Sequence, residues 1–129
     1  KPLAFWTLGS KRIVGLPGNP VSCMVCTEEY VRPLVRRMMG HSLLYRPVRT
    51  AVLDERYTKG SDAGRAHFVR VRLQERDGVL HATPTGPQGS GILTSMALAT
   101  GIAVLPEETP AVEAGQSVHV QLTDLPEDH

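Results

Sequence analysis

Lys11-Arg12-Ile13-Val14-Gly15-Leu16-Pro17-Gly18-Asn19-Pro20, followed by residues 21–39 without a glycine, is the stretch that sets the architecture. The apolar pair Ile13-Val14 lies in a strand expected from Arg12 to Leu16. The Gly15–Pro20 hexapeptide reads as a tight loop, and a long helix follows. Asn19 suits an N-cap because its side-chain oxygen accepts an orphan amide, and Pro20 suits the first helical position, where a missing N–H costs nothing. Such a junction gathers unpaired amides at the positive end of a helix dipole, where anions bind. Gly18 permits close approach, while Pro17 and Pro20 limit the loop to few conformations. A rigid turn that binds nothing is the plain alternative.

Upstream, Leu3–Leu8 reads as a neighbouring strand ended by Gly9-Ser10. The unbroken apolar character of Ile13-Val14 fits burial in a layered α/β sheet. Two strands and a helix cannot close such a sheet, so further strands are expected from sequence outside these 129 residues or from another chain. Along the helix, Val21, Met24, Val25, Val31, Leu34, Val35 and Met38 recur at helical spacings as an apolar side, with Glu28, Glu29, Arg32, Arg36 and Arg37 as the wet side. Pro33 cannot donate to the carbonyl of Glu29 and is expected to bend or divide the helix; Gly40 is a C-cap candidate.

After a connection at residues 41–47 the pattern changes to short strands: 48–57, 67–75, 79–85, 102–105 and 117–123. Val69, Val71 and Leu73 alternate with Arg70, Arg72 and Gln74, and Val118, Val120 and Leu122 with His119 and Gln121, which gives each strand one dry face. Asp77-Gly78 is a hairpin signal, and turn residues cluster from Lys59 to Gly64 and at Glu113-Ala114-Gly115. Residues 92–99 read as a short helix or helical turn, and the tail 125–129 as frayed. The pattern implies a small barrel or half-barrel from about Tyr45 onward. The fold class is therefore an α/β remnant, the last strands and helix of an α/β domain (residues 1–44), followed by a small, mostly β barrel domain (residues 45–129). The chain reads as a fragment of something longer.

Hydrophobic residues at 41% and charged residues at 21% fit a folded soluble chain, and a formal charge of +1 gives no overall field to attract nucleic acid or anionic lipid. No apolar run is long enough to span a bilayer, and the first residues lack a secretory pattern. Two cysteines three apart on one helix cannot staple distant segments, which fits a reducing, cytoplasmic setting. Cys23 and Cys26 read as packing rather than redox or zinc ligands, since no histidines are spaced to complete a metal site. Arg49, Arg65, Arg70 and Arg72 form a candidate basic strip without interleaved aromatics, which favours ordinary solvation. Gly86–Gly91, with Gln88 and Ser90, is either a flexible turn or a cradle for an anion or a pterin-like edge. His67 reads as a plain strand residue, and no catalytic triad or self-contained magnesium site is visible.

Lys1-Pro2-Leu3-Ala4-Phe5, Gly15-Leu16-Pro17-Gly18-Asn19-Pro20-Val21-Ser22 and Val31-Arg32-Pro33 closely resemble the C-terminal part of the molybdopterin molybdenumtransferase family, the bacterial counterpart of the gephyrin E domain. Gly64-Arg65 before Phe68, Thr85-Gly86 before Gln88-Gly89-Ser90, and Leu98-Ala99 with Ile102, Val104 and Leu105 extend the resemblance over nearly the whole chain. It departs from the family pattern at Cys23, Cys26, His67 and Pro87.

The resemblance implies molybdenum cofactor biosynthesis: insertion of molybdate into adenylylated molybdopterin with release of AMP, assisted by a divalent cation, usually Mg2+. It implies ligand contacts from Lys1, Pro2, Pro17, Gly18, Asn19, Pro20 and Ser22, and from Gln88, Gly89 and Ser90 on the barrel side. Acidic catalytic and metal-binding residues are expected upstream, so this chain alone is expected to be inactive and to hold no metal. An elongated homodimer is implied, with the upstream part of the same polypeptide and a molybdopterin adenylyltransferase as partners, and neither nucleic acid nor membrane. The alternative function is a binding or scaffold module of the same family.

Overall fold

The computed structural model describes residues 3–18, 20–60, 64–85 and 99–123. These form two compact units, 3–45 and 46–123.

In the first unit, β1 (Ala4–Leu8) and β2 (Lys11–Gly15) form an antiparallel hairpin in which Phe5 faces Val14 and Trp6 faces Ile13. Gly9, at φ 61°, makes the turn. The layered burial expected of Ile13-Val14 is not found within this chain: Ile13 is exposed and Val14 half-buried, because the sheet among the described residues has only these two strands. Trp6 is 55% exposed, and Phe5 and Leu8 are exposed as well.

The long helix is divided, as Pro33 predicts, into α1 (Pro20–Cys26), a π-helical turn (Thr27–Val31) and α2 (Arg32–Met38). The Arg32 N–H reaches the carbonyl of Thr27, five residues back, one residue more than an α-turn. Widening the turn just before Pro33 accommodates a residue that has no N–H to offer. Thr27 Oγ1 also donates to the carbonyl of Cys23 at 2.8 Å, a back-bond that bends helices.

At the C-terminus, Gly40 adopts φ 89°, its N–H donates to Arg37 and that of His41 to Arg36, which is a Schellman cap. Two assignments to helix sides are corrected. Met24, Val35 and Met38 are exposed, since no described element of this unit covers that side. Arg36, read as wet, is only 4% exposed: its Nε donates to the carbonyl of Leu43 at 2.8 Å, drawing the connection back onto the helix.

The second unit is a closed five-stranded barrel: β3 (Val48–Leu53), β5 (His67–Arg76), β6 (Val79–Pro84), β7 (Gly101–Leu105) and β9 (Ser117–Leu122), in the order β3-β6-β5-β7-β9 with β9 pairing back to β3. Closure settles the barrel or half-barrel alternative and leaves no edge in this sheet. All pairings are antiparallel except β3–β6, which sets Val52 beside His81 and Leu53 beside Ala82. Ala51, Leu53, Val69, Val71, Ala82, Ala103, Leu105, Val118 and Val120 fill the interior.

Gly101 is required there, because an added Cβ would lie 2.6 Å from Val120 Cγ1 and 3.0 Å from the carbonyl oxygen of Gln121. Asp77 (φ 52°) and Gly78 (φ 77°) form the expected tight hairpin between β5 and β6. The strand expected over 48–57 instead ends at Leu53. After a turn, β4 (Tyr57–Thr58) leaves the barrel to pair with β8 (Ala111–Val112), a two-residue strand with too few residues to show a period.

Candidate ligand-binding site

The loop at residues 15–20 is only partly described. Pro17 is buried and Gly18 exposed, and a Cβ built on Gly18 would meet nothing within 4 Å. Packing around this position therefore does not require glycine. Pro20 and Ser22 belong to the backbone of α1. Lys1, Pro2, Asn19, Gln88, Gly89 and Ser90, and the helix expected at 92–99 apart from Ala99, lie outside the described residues. So does the tail expected to fray. On the described helix, Cys23 and Cys26 are free and half-buried. Burial, with the neighbouring Cys23, pushes the Cys26 thiol above its ordinary pKa, the opposite of an activated nucleophile.

In the barrel unit the structure assembles polar groups that sequence reading did not connect. Asp54, just past β3, accepts at Oδ1 from His81 Nδ1 (2.8 Å) and Arg76 Nη2 (3.0 Å), and at Oδ2 from Thr83 Oγ1 (2.9 Å) and Arg76 Nη2 (3.2 Å). Its backbone N–H is tied to the carbonyl of Ala82. A carboxylate can only accept, so the His81 proton in this bond sits on Nδ1. Burial opposes ionisation of Asp54, but the hydrogen bonds from His81, Thr83 and Arg76, with the charge of Arg76, outweigh it and hold the carboxyl below its ordinary pKa.

The polar alternation of Gln74 and Arg76 with the register of the Asp77-Gly78 hairpin already places Gln74 opposite His81. Asp54 joins them only through the parallel β3–β6 pairing, for which the sequence carries no local signal.

Lys59, expected in a turn, is only 6% exposed, and its Nζ donates to the carbonyls of Arg65 (2.6 Å) and Pro106. Its backbone N–H bonds to Pro110. His67 is more than a plain strand residue: its Nδ1 lies 2.9 Å from Tyr57 Oη, with the rings edge to face. The basic strip is interrupted, because Arg70 is buried while Arg49, Arg65 and Arg72 are exposed. Among the described residues no three His, Cys, Asp or Glu side chains are grouped to hold a metal ion, and no helix is long and apolar enough to cross a membrane.

The fold thus defines a strand-loop-helix element of α/β type joined in sequence to a small closed β-barrel. Residues 50–123 match the MoeA C-terminal region (domain IV), and the chain belongs to the MoeA family. It is 40% identical over 108 residues to molybdopterin molybdenumtransferase 2 of Mycobacterium tuberculosis, covering 84% of this chain and 26% of that protein. It is 34% identical over 110 residues to molybdopterin molybdenumtransferase of Bacillus subtilis, covering 85% and 25%.

Among solved structures, the molybdopterin biosynthesis moeA protein of Pyrococcus horikosii superposes with a TM-score of 0.75 at 30% identity, over 95% of this chain and 29% of that one. A molybdenum cofactor biosynthesis protein from Pyrococcus furiosus gives 0.65 at 30% identity, over 81% and 36%. The chain spans about a quarter of the length of the curated relatives it matches.

Proposed function

We propose that this chain acts in molybdenum cofactor biosynthesis as the C-terminal portion of a molybdenum insertase. The reaction is transfer of molybdate onto the dithiolene of adenylylated molybdopterin, with AMP released. The observation that carries this reading is a barrel that matches MoeA domain IV, in a chain where β2 ends at Gly15 and α1 begins at Pro20.

In this reading the loop's amides, with Pro17, Gly18, Asn19, Pro20 and Ser22, hold the anionic substrate. Preorganised donors of this kind stabilise charge as it moves onto oxygen. Lys1 and Pro2 flank the ligand, and Gln88, Gly89 and Ser90 approach it from the barrel side. The described residues do not fit a magnesium site: they contain no acidic cluster, and both oxygens of Asp54 are already engaged. In this reading the cation is held by acidic residues of the upstream polypeptide. The whole protein is a cytoplasmic homodimer that receives its substrate from a molybdopterin adenylyltransferase.

The test is binding of adenylylated molybdopterin and molybdate insertion by the protein that carries this sequence with its upstream α/β portion. Asn19→Ala is expected to weaken binding by about 10-fold, the scale of one hydrogen bond to a charged group. Unchanged binding and insertion in Asn19→Ala removes the loop from the site. Activity that is absent even in the parent protein, with a protein partner bound instead, favours the scaffold reading.

A further inference from the structure

The β5–β6 ribbon carries a second polar feature, built from residues other than those of the proposed insertase site. Beyond the Val71–Gly101 pair, β5 parts from β7, and the Leu73 N–H turns to Thr100 Oγ1 at 2.8 Å. Beside the freed ribbon lies a cavity of about 440 Å3 whose lining among the described residues is Arg72, Leu73, Gln74 and Thr83, within the size range of small-molecule sites. The register sets Arg72 opposite Thr83 and Gln74 opposite His81, so these four side chains share one outward face.

The hydrogen bonds around the cavity define what each group has left to offer. Gln74 Oε1 accepts from Arg76 Nη1 at 3.2 Å, which orients the amide and leaves its NH2 as a donor. Thr83 gives its hydroxyl proton to Asp54 Oδ2, so its oxygen offers lone pairs only. The charge of Asp54 is met by Arg76, His81 and Thr83. Arg72 makes no hydrogen bond or ion pair with the described residues. Among the described residues, the lining thus presents one guanidinium fork, one amide donor and one acceptor oxygen.

We propose that this cavity binds a small α-hydroxycarboxylate monoanion. The planar carboxylate pairs with the Arg72 fork, the Gln74 NH2 donates to a carboxylate oxygen, and the ligand hydroxyl donates to Thr83 Oγ1. Arginine favours such a planar anion because two parallel N–H bonds form at once.

The test is a titration of the isotope-labelled 129-residue chain with lactate at constant ionic strength, following the Gln74 side-chain NH2 and the Leu73 backbone amide by NMR. Saturable shifts of both signals are expected, with affinity about 10-fold weaker in Arg72→Gln and partly retained in Arg72→Lys. Arg49→Gln, an exposed arginine on β3, is expected to change nothing, and the amide dispersion of each variant reports that the barrel is intact. Absence of saturation, equal affinity in Arg72→Gln, or equal binding of uncharged methyl lactate overturns the site. Equal affinity for acetate overturns the hydroxy-acid assignment.

Discussion

His81 Nδ1 lies 2.8 Å from Asp54 Oδ1, although the two are 27 positions apart in sequence. The pair exists because β3 and β6 run parallel, with Leu53 beside Ala82. It ties the end of β3 to the middle of the ribbon, so its chemistry bears on barrel stability.

Because the folded pKa of Asp54 is depressed, its contribution is present above the unfolded carboxyl value of about 4 and is lost as pH falls through the folded value. Asp54→Asn is expected to lower stability by about 1–2 kcal/mol at neutral pH. It should also flatten the decline in urea midpoint below about pH 4. A midpoint that falls as steeply in the variant as in the parent contradicts this assignment.

Lys59 holds two backbone carbonyls from different loops, those of Arg65 and Pro106. Lys59→Met keeps the buried stem but leaves both oxygens without that donor, and should cost about 2–3 kcal/mol in thermal unfolding. A change below the resolution of the melt would mean that water replaces the ammonium without loss.

Gly101 sits where β7 meets both β5 and β9. Its nearest obstructions include the backbone oxygen of Gln121, which cannot rotate away as a side chain can. Gly101→Ala is therefore expected to destabilise the barrel by about 1–3 kcal/mol through overpacking, read as a shift in denaturant midpoint at constant slope.

For Cys26, a raised pKa means less thiolate at neutral pH. Its alkylation by iodoacetamide at pH 7 should be slower than that of a free thiol and should accelerate as pH rises above the ordinary thiol range. Rapid modification at neutral pH would revive the redox reading of Cys23 and Cys26.

The sequence by itself determined what depends on near neighbours. The alternation of Val69, Val71 and Leu73 dictated a strand that turns these three residues to the core, Asp77-Gly78 its hairpin, Gly40 the helix cap, and Pro33 the interruption that appears as a π-turn at Thr27–Val31. Each follows from local sterics or from the period of the chain.

Tertiary structure alone decided the rest. Parallel β3–β6 pairing brought Asp54 to His81, closure of β9 on β3 enclosed the core, and folding of the loops around Lys59 turned an apparent turn residue into a buried clasp. Arg36 and Arg70 likewise look like surface residues by type and are buried by their surroundings. These contacts join residues far apart in sequence, and their free energy is gained only once the intervening chain has been ordered, so no short window of residues could announce them.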